Sequence, residues 1–159
     1  MTDTVPLIQK SSLGEELSAE EAAILGTLLA SRTVAADEFL IQEGTADDTL
    51  HVILSGKLEV VKRTAADEES TLAVLREGDL AGELSFIDGH EHSVGLRALV
   101  ECEVLSLKRD DFESIIDKHP HLVYKVMRAL ARSTRRKVHR MNSEFIELNN
   151  YIFKQHGRY

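Results

Sequence analysis

From Arg32 to Leu107 the apolar residues come in short runs of extended type: TVAADEFLIQEG, TLHVILSGKLEVVKR, STLAVLREGD and SVGLRALVECEVLSL. Glycines at 44, 56, 78, 89 and 95 fall within or between these runs as turns or bends, the spacing of an all-β sandwich or barrel. On either side the period is helical. Ser18 followed by AEEAAILGTLLA predicts an N-capped helix. The serine can accept from the first free amides, Glu20 and Glu21 suit the positive end of the helix dipole, and Ala22, Leu25, Leu28 and Leu29 recur at helical spacing. After the β body, KRDDFESIIDKH predicts a short helix with Phe112, Ile115 and Ile116 on one face. Pro120 suits the first turn of the next helix, where its missing amide costs nothing. The run that follows has neither Gly nor Pro for more than 30 residues, roughly 45 Å of helix.

Along that run Val123, Met127, Leu130, Thr134, Val138, Met141, Phe145, Leu148 and Ile152 are separated by 4, 3, 4, 4, 3, 4, 3 and 4 residues. This is a heptad-like seam with one irregular step near Thr134. Packing against the chain's own body accounts for the first turns, but the stripe outruns a small sandwich. The preferred reading is a homodimeric parallel coiled coil, with Met127, Leu130, Val138, Met141, Phe145 and Leu148 in its seam.

Charge sharpens this division. Residues 1–119 hold ten Lys and Arg against 25 Asp and Glu, whereas residues 120–159 hold nine against two, so an acidic body carries a basic helix. Lys125, Arg128, Arg132, Arg135 and Arg136 lie opposite the seam, on a face suited to solvent, to an acidic body or to a partner. A chain of 159 residues with 43% hydrophobic content supports one sizeable core. The expected division is an N-terminal extension over 1–14, a β body with flanking helices over 15–119, the long helix over 120–152 and a tail over 153–159. No segment reads as a secretory signal or a membrane span, so a cytoplasmic protein is expected. The single cysteine, Cys102, excludes an internal disulfide and a cysteine-based metal cluster, and its setting in VECEVLSL reads as a buried structural thiol.

The order of helix, short strands broken by GEL, short helix and long helix resembles the cyclic nucleotide-binding domain shared by catabolite activator proteins and protein kinase A regulatory subunits. The resemblance covers about residues 15–145. It rests on Glu43-Gly44, Ser55-Gly56, Glu77-Gly78-Asp79, Gly82-Glu83-Leu84, Arg97-Ala98 and the Asp-Phe at 111 and 112. It implies an α+β fold: a β-roll or jelly-roll barrel with an N-terminal helix and a long C-terminal dimerisation helix.

The resemblance also implies a phosphate-binding cassette over 82–93. In the family a glycine lets the chain approach the ligand, a short helix turns free amides toward the cyclic phosphate, and a glutamate accepts from the ribose 2′-hydroxyl. Carried over, Gly82 is the approach glycine, Glu83 the ribose acceptor, and Leu84 and Ser85 the amide donors. An arginine then pairs with the phosphate oxygens, followed by a small residue. Here these positions are His92 and Ser93. Arginine is permanently charged and forked, whereas a histidine is mostly neutral at pH 7 and offers one donor toward any one oxygen. The loss should cost about two orders of magnitude in affinity. Arg97 is not a substitute, because five residues along a strand place it on the opposite face. Where the family's long helix caps the base, this chain offers Thr134 and Lys137.

Two readings of His92 stay open: a weaker, pH-sensitive phosphate ligand, or a histidine left in a pocket that no longer binds cyclic nucleotide. GHEHS also raises metal binding, but two ligands without a third make a poor site, and no metal is expected. The function expected is a dimeric regulatory module with a cyclic nucleotide, cAMP or cGMP, or a related anion as effector, acting on a regulated protein partner. The alternative is a ligand-independent dimerisation and interaction module. About ten residues follow Asn149, too few for a helix-turn-helix domain, so DNA binding is not expected. No nucleophile elbow, Walker loop or metal triad points to an enzyme.

Overall fold

The structure, a computed structural model, describes residues 3–156, the side chains of 155 and 156 excepted. Two N-terminal helices, α1 (Thr4–Lys10) and α2 (Ala19–Gly26), precede six strands: β1 (Ala30–Val34), β2 (Phe39–Ile41), β3 (Thr49–Ser55), β4 (Lys57–Arg63), β5 (Glu69–Arg76) and β6 (Leu80–Ala81). A short helix α3 (Glu83–Asp88) interrupts the series before β7 (Gly95–Ala98) and β8 (Cys102–Lys108). Helices α4 (Arg109–Glu113) and α5 (Pro120–His156) follow. The strands form two antiparallel sheets, β1-β8-β3-β6 and β2-β7-β4-β5. This is the short-stranded β body that the alternation predicts, in the β-roll form with flanking helices that the resemblance implies.

The strand period of two sorts the core into two layers. Ile53, Leu58, Leu75, Leu96, Ala98 and Val104 fill the space between the sheets. Leu50, Val52, Leu105 and Leu107, the alternate positions of β3 and β8, face the other way and pack with Leu25, Phe86, Phe112, Val126 and Leu130 of the helices. Both central strands are therefore buried on two faces. The β3–β4 turn requires Gly56: its φ is +91°, and a Cβ there would sit 2.5 Å from Cys102 Sγ and 2.7 Å from the Glu101 carbonyl. Cys102 is buried, as its alternating run implies.

Helix α2 starts where Ser18 caps it, in a reciprocal box with Glu21. The N-terminal stretch expected as an extension carries α1, and its Ile8 and Leu13 are buried in the helix-side core. The stretch expected as one helix over 108–119 is helical only to Glu113. Helix α5 opens at Pro120 as expected and continues to His156, past the residue where a tail was expected to begin; residues 157–159 lie outside the described part. Leu122, Val126, Ala129, Leu130 and Ser133 of α5 are buried, whereas Val138, Met141, Phe145, Leu148 and Ile152 are exposed. This corrects one member of the expected seam: Leu130 points into the chain's own core, because body and helix still overlap at that turn.

Candidate functional site

Gly82 joins β6 to α3 in the left-handed region, at φ +81°. A Cβ there would lie 2.8 Å from the Thr49 carbonyl, so close passage of β3 requires glycine as much as the turn does. That passage tucks the next side chain inward. Glu83 is 7% exposed, and its Oε1 accepts from Ser133 Oγ at 2.8 Å and from Lys137 Nζ at 2.5 Å, both on α5. Lys137 Nζ also donates to the Leu80 carbonyl at 2.7 Å. The carboxylate of the cassette is thus fastened to the long helix by a hydroxyl and an ammonium.

Ser85 is buried and its hydroxyl lies 3.1 Å from His92 Nδ1. The backbone of His92 is pinned to the β2–β3 loop, its amide donating to the Thr45 carbonyl and its carbonyl accepting from the Gly44 amide, each at 2.8 Å. His92 Nε2 faces Asp47 Oδ1 at 3.1 Å, without the alignment of a hydrogen bond. Asp47 Oδ1 in turn accepts from the Thr49 amide. Both ring nitrogens of His92 therefore look onto groups of the chain itself.

Beside them, His51 of β3 is 3% exposed and its Nδ1 lies 2.8 Å from Ser106 Oγ, in the register that pairs the two residues. Burial pushes its imidazole down to about 4, with the Asp47 charge opposing the shift and Arg32 and His92 adding to it. The ring is neutral at physiological pH, and its buried Nε2 has no hydrogen-bond partner among the described residues.

The remaining expected site residues are scattered. Leu84 is 60% exposed and points outward with Ile87 into an open groove of about 620 Å³ against α5. Thr134 lines that groove too, with Met127, Arg135 and Val138, so of the two candidate base contacts only Lys137 reaches the cassette carboxylate. Ser93 is exposed and its carbonyl accepts from Lys62. His90 is exposed beside Asp88, so the two histidines of GHEHS do not converge. Arg97 is engaged away from the cassette, on Glu59 and Glu69 and over the Phe39 ring.

Sequence reasoning missed Ser133 and Asp47. For Ser133 a signal existed: 122, 126, 129, 133 and 137 form a second stripe at helical spacing, with polar members where it meets the cassette. Asp47 carried none, since only the fold sets a loop aspartate beside a histidine 45 residues away.

Four of the five cations expected on the basic face of α5 are answered from within the chain. Lys125 pairs with Glu21 at 2.7 Å, Arg132 with Glu16 at 2.8 Å, and Arg136 with Glu15 through two bonds of 2.9 and 3.0 Å. Arg128 lies 3.4 Å from Glu16. The Arg136 guanidinium holds the Glu15 carboxyl below its ordinary range.

Comparison with known proteins bears on the same segment. The family profile described as the cyclic nucleotide-binding domain matches residues 31–119. A cyclic AMP receptor protein of Thermus thermophilus is 29% identical over 125 residues, covering 79% of this chain and 58% of the relative. A CRP-like cAMP-activated global transcriptional regulator of Mycobacterium tuberculosis is 32% identical over 94 residues, 59% of this chain and 42% of that one. The chain thus spans about half the length of the curated relatives it matches. Among solved structures, a cyclic nucleotide-binding domain of Methylobacillus flagellatus superposes with a TM-score of 0.74 at 26% identity, over 95% of this chain and 81% of that one.

Proposed function

The chain belongs to the cyclic nucleotide-binding domain family, and we propose that it acts as a dimeric regulatory module whose cassette takes a nucleotide-type ligand. His92 in place of the phosphate-binding arginine weakens the hold on a cyclic phosphate. One observation carries this reading: the buried carboxylate of Glu83 is held by Ser133 and Lys137 of α5. A ligand hydroxyl competing for that carboxylate pulls on the helix whose far half presents the exposed apolar stripe. The ligand is then an effector, not a substrate, in keeping with the regulators among its relatives. Among the described residues no helix is long and apolar enough to cross a membrane. A cytoplasmic setting and a regulated protein partner complete the reading.

The test is His92→Arg. Wild type should bind cyclic AMP and cyclic GMP weakly at pH 7.5, and the arginine should tighten binding at least about tenfold, or about 1.4 kcal/mol. Tight binding of a cyclic nucleotide by wild type would sink this account of His92.

A second reading is a ligand-independent dimerisation and interaction module. It is favoured by the internal pairing of the cassette, where Lys137 meets Glu83 and Asp47 faces His92. Absence of binding by either protein would select it.

A further inference from the structure

At one end of the cassette the chain supplies its own anion. Asp47 comes from the loop between β2 and β3 and sets Oδ1 3.1 Å from Nε2 of His92, the side chain that stands in the phosphate-binding position. The other ring nitrogen is taken by Ser85. Neighbouring cations are spent elsewhere, Arg109 of α4 on Asp48 at 2.9 Å and Lys62 of β4 on Glu43 and the Ser93 carbonyl. A phosphate entering here would meet a carboxylate 3.1 Å from the histidine ring. At the sugar end the chemistry is kept: both bonds to Glu83 fall on Oε1, so Oε2 is the oxygen a ribose hydroxyl would approach. His51 adds a buried ring nitrogen with no partner among the described residues, on the inward face of β3.

We propose that the cassette selects an uncharged nucleoside over a cyclic nucleotide, with Asp47 as the residue that excludes the phosphate. The proposal rests on the reading of the cassette as the ligand site. Its physical content is a difference between two ligands that share base and sugar. Each brings hydroxyls to Glu83, but the cyclic nucleotide also brings a negative charge up to the half-exposed Asp47 carboxylate, which repels it. A nucleoside brings no charge there, and its free 5′-hydroxyl can donate to the Asp47 carboxylate. His51, neutral because burial pushes it down to about 4, fits an uncharged ligand in the same way.

The test is calorimetry on the full chain at pH 7.5 with adenosine, guanosine, cyclic AMP and cyclic GMP. At least one nucleoside should bind at least about tenfold more tightly than its cyclic monophosphate. Asp47→Asn keeps the oxygen that caps the Thr49 amide and removes the charge. It should tighten the cyclic nucleotide at least about tenfold and move the nucleoside less than about threefold. Asp48→Asn, next to it but turned to Arg109, should leave the ratio unchanged. Tighter binding of the cyclic nucleotide by wild type, or an equal response of both ligands to Asp47→Asn, overturns the nucleoside assignment and leaves the cassette reading standing. No binding of any of the four to wild type, to Asp47→Asn or to the Asp47→Asn/His92→Arg double variant overturns both.

Discussion

The two halves of α5 have the same periodicity and opposite surroundings. From Leu122 to Lys137 the helix turns Leu122, Val126, Ala129, Leu130 and Ser133 onto the body, ties Lys125, Arg128, Arg132 and Arg136 to Glu15, Glu16 and Glu21, and reaches the cassette through Lys137. From Val138 onward the apolar stripe continues, yet Met141 is 65% and Phe145 63% exposed. The irregular step at Thr134, where two spacings of four follow each other, marks the changeover. A heptad register says which residues share a face. It does not say whether the face is met by the chain's own body or by another molecule.

The largest effect is expected in the distal half. Met141→Glu with Phe145→Glu sets like charges across a proposed two-fold seam and removes four large apolar side chains per dimer. Association should weaken by at least about a thousandfold. Light scattering at micromolar concentration should report monomers, with the β-sheet circular dichroism unchanged. A variant still dimeric there would break the comparison, because the stripe from Val138 onward would then not be where the copies meet.

What the sequence made legible follows the range of the interactions. The β body was readable because strand alternation and glycine turns are local, whereas Gly82 and Glu83 were legible only through the family resemblance carried by the GEL segment. Helix α1 was not foreseen, since seven residues containing Pro6 are too few to show a period. The seam was legible as a stripe but not as two stripes, and Leu130 was assigned to the wrong one because its spacing fits both. The cassette's own partners were hidden for a different reason. Ser133 and Lys137 lie 50 and 54 residues from Glu83, and Asp47 lies on a loop whose composition says only that it turns.

The proximal half should show its character in folding. Leu130 is fully buried among Leu25, Phe86 and Val126. In the monomeric double-glutamate background, Leu130→Ala should lower stability by about 2–5 kcal/mol through lost transfer energy and a residual cavity. Val138→Ala, one turn past the body, should change it by less than about 0.5 kcal/mol. Urea unfolding of both variants makes the measurement. Equal losses would mean that the body extends further along the helix than the boundary at Lys137.

The smallest effect concerns the ion pairs that dress the proximal half. Arg136 and Glu15 share two well-formed bonds, but their side chains are 54% and 39% exposed, so solvent screens the attraction and ordering two long side chains opposes it. A double-mutant cycle of Arg136→Ala and Glu15→Ala should give a coupling below about 1 kcal/mol that shrinks further in 0.5 M salt. The same pairing bears on nucleic acid: with Lys125, Arg132 and Arg136 committed to the chain's own acids, this face offers few free cations to release counterions. Fluorescence titration with a DNA duplex at low salt should therefore show no binding by wild type, and Glu15→Ala/Glu16→Ala should be the variant that acquires it. Salt-sensitive binding by the wild type would mean that the acids of the N-terminal segment do not neutralise the helix in solution.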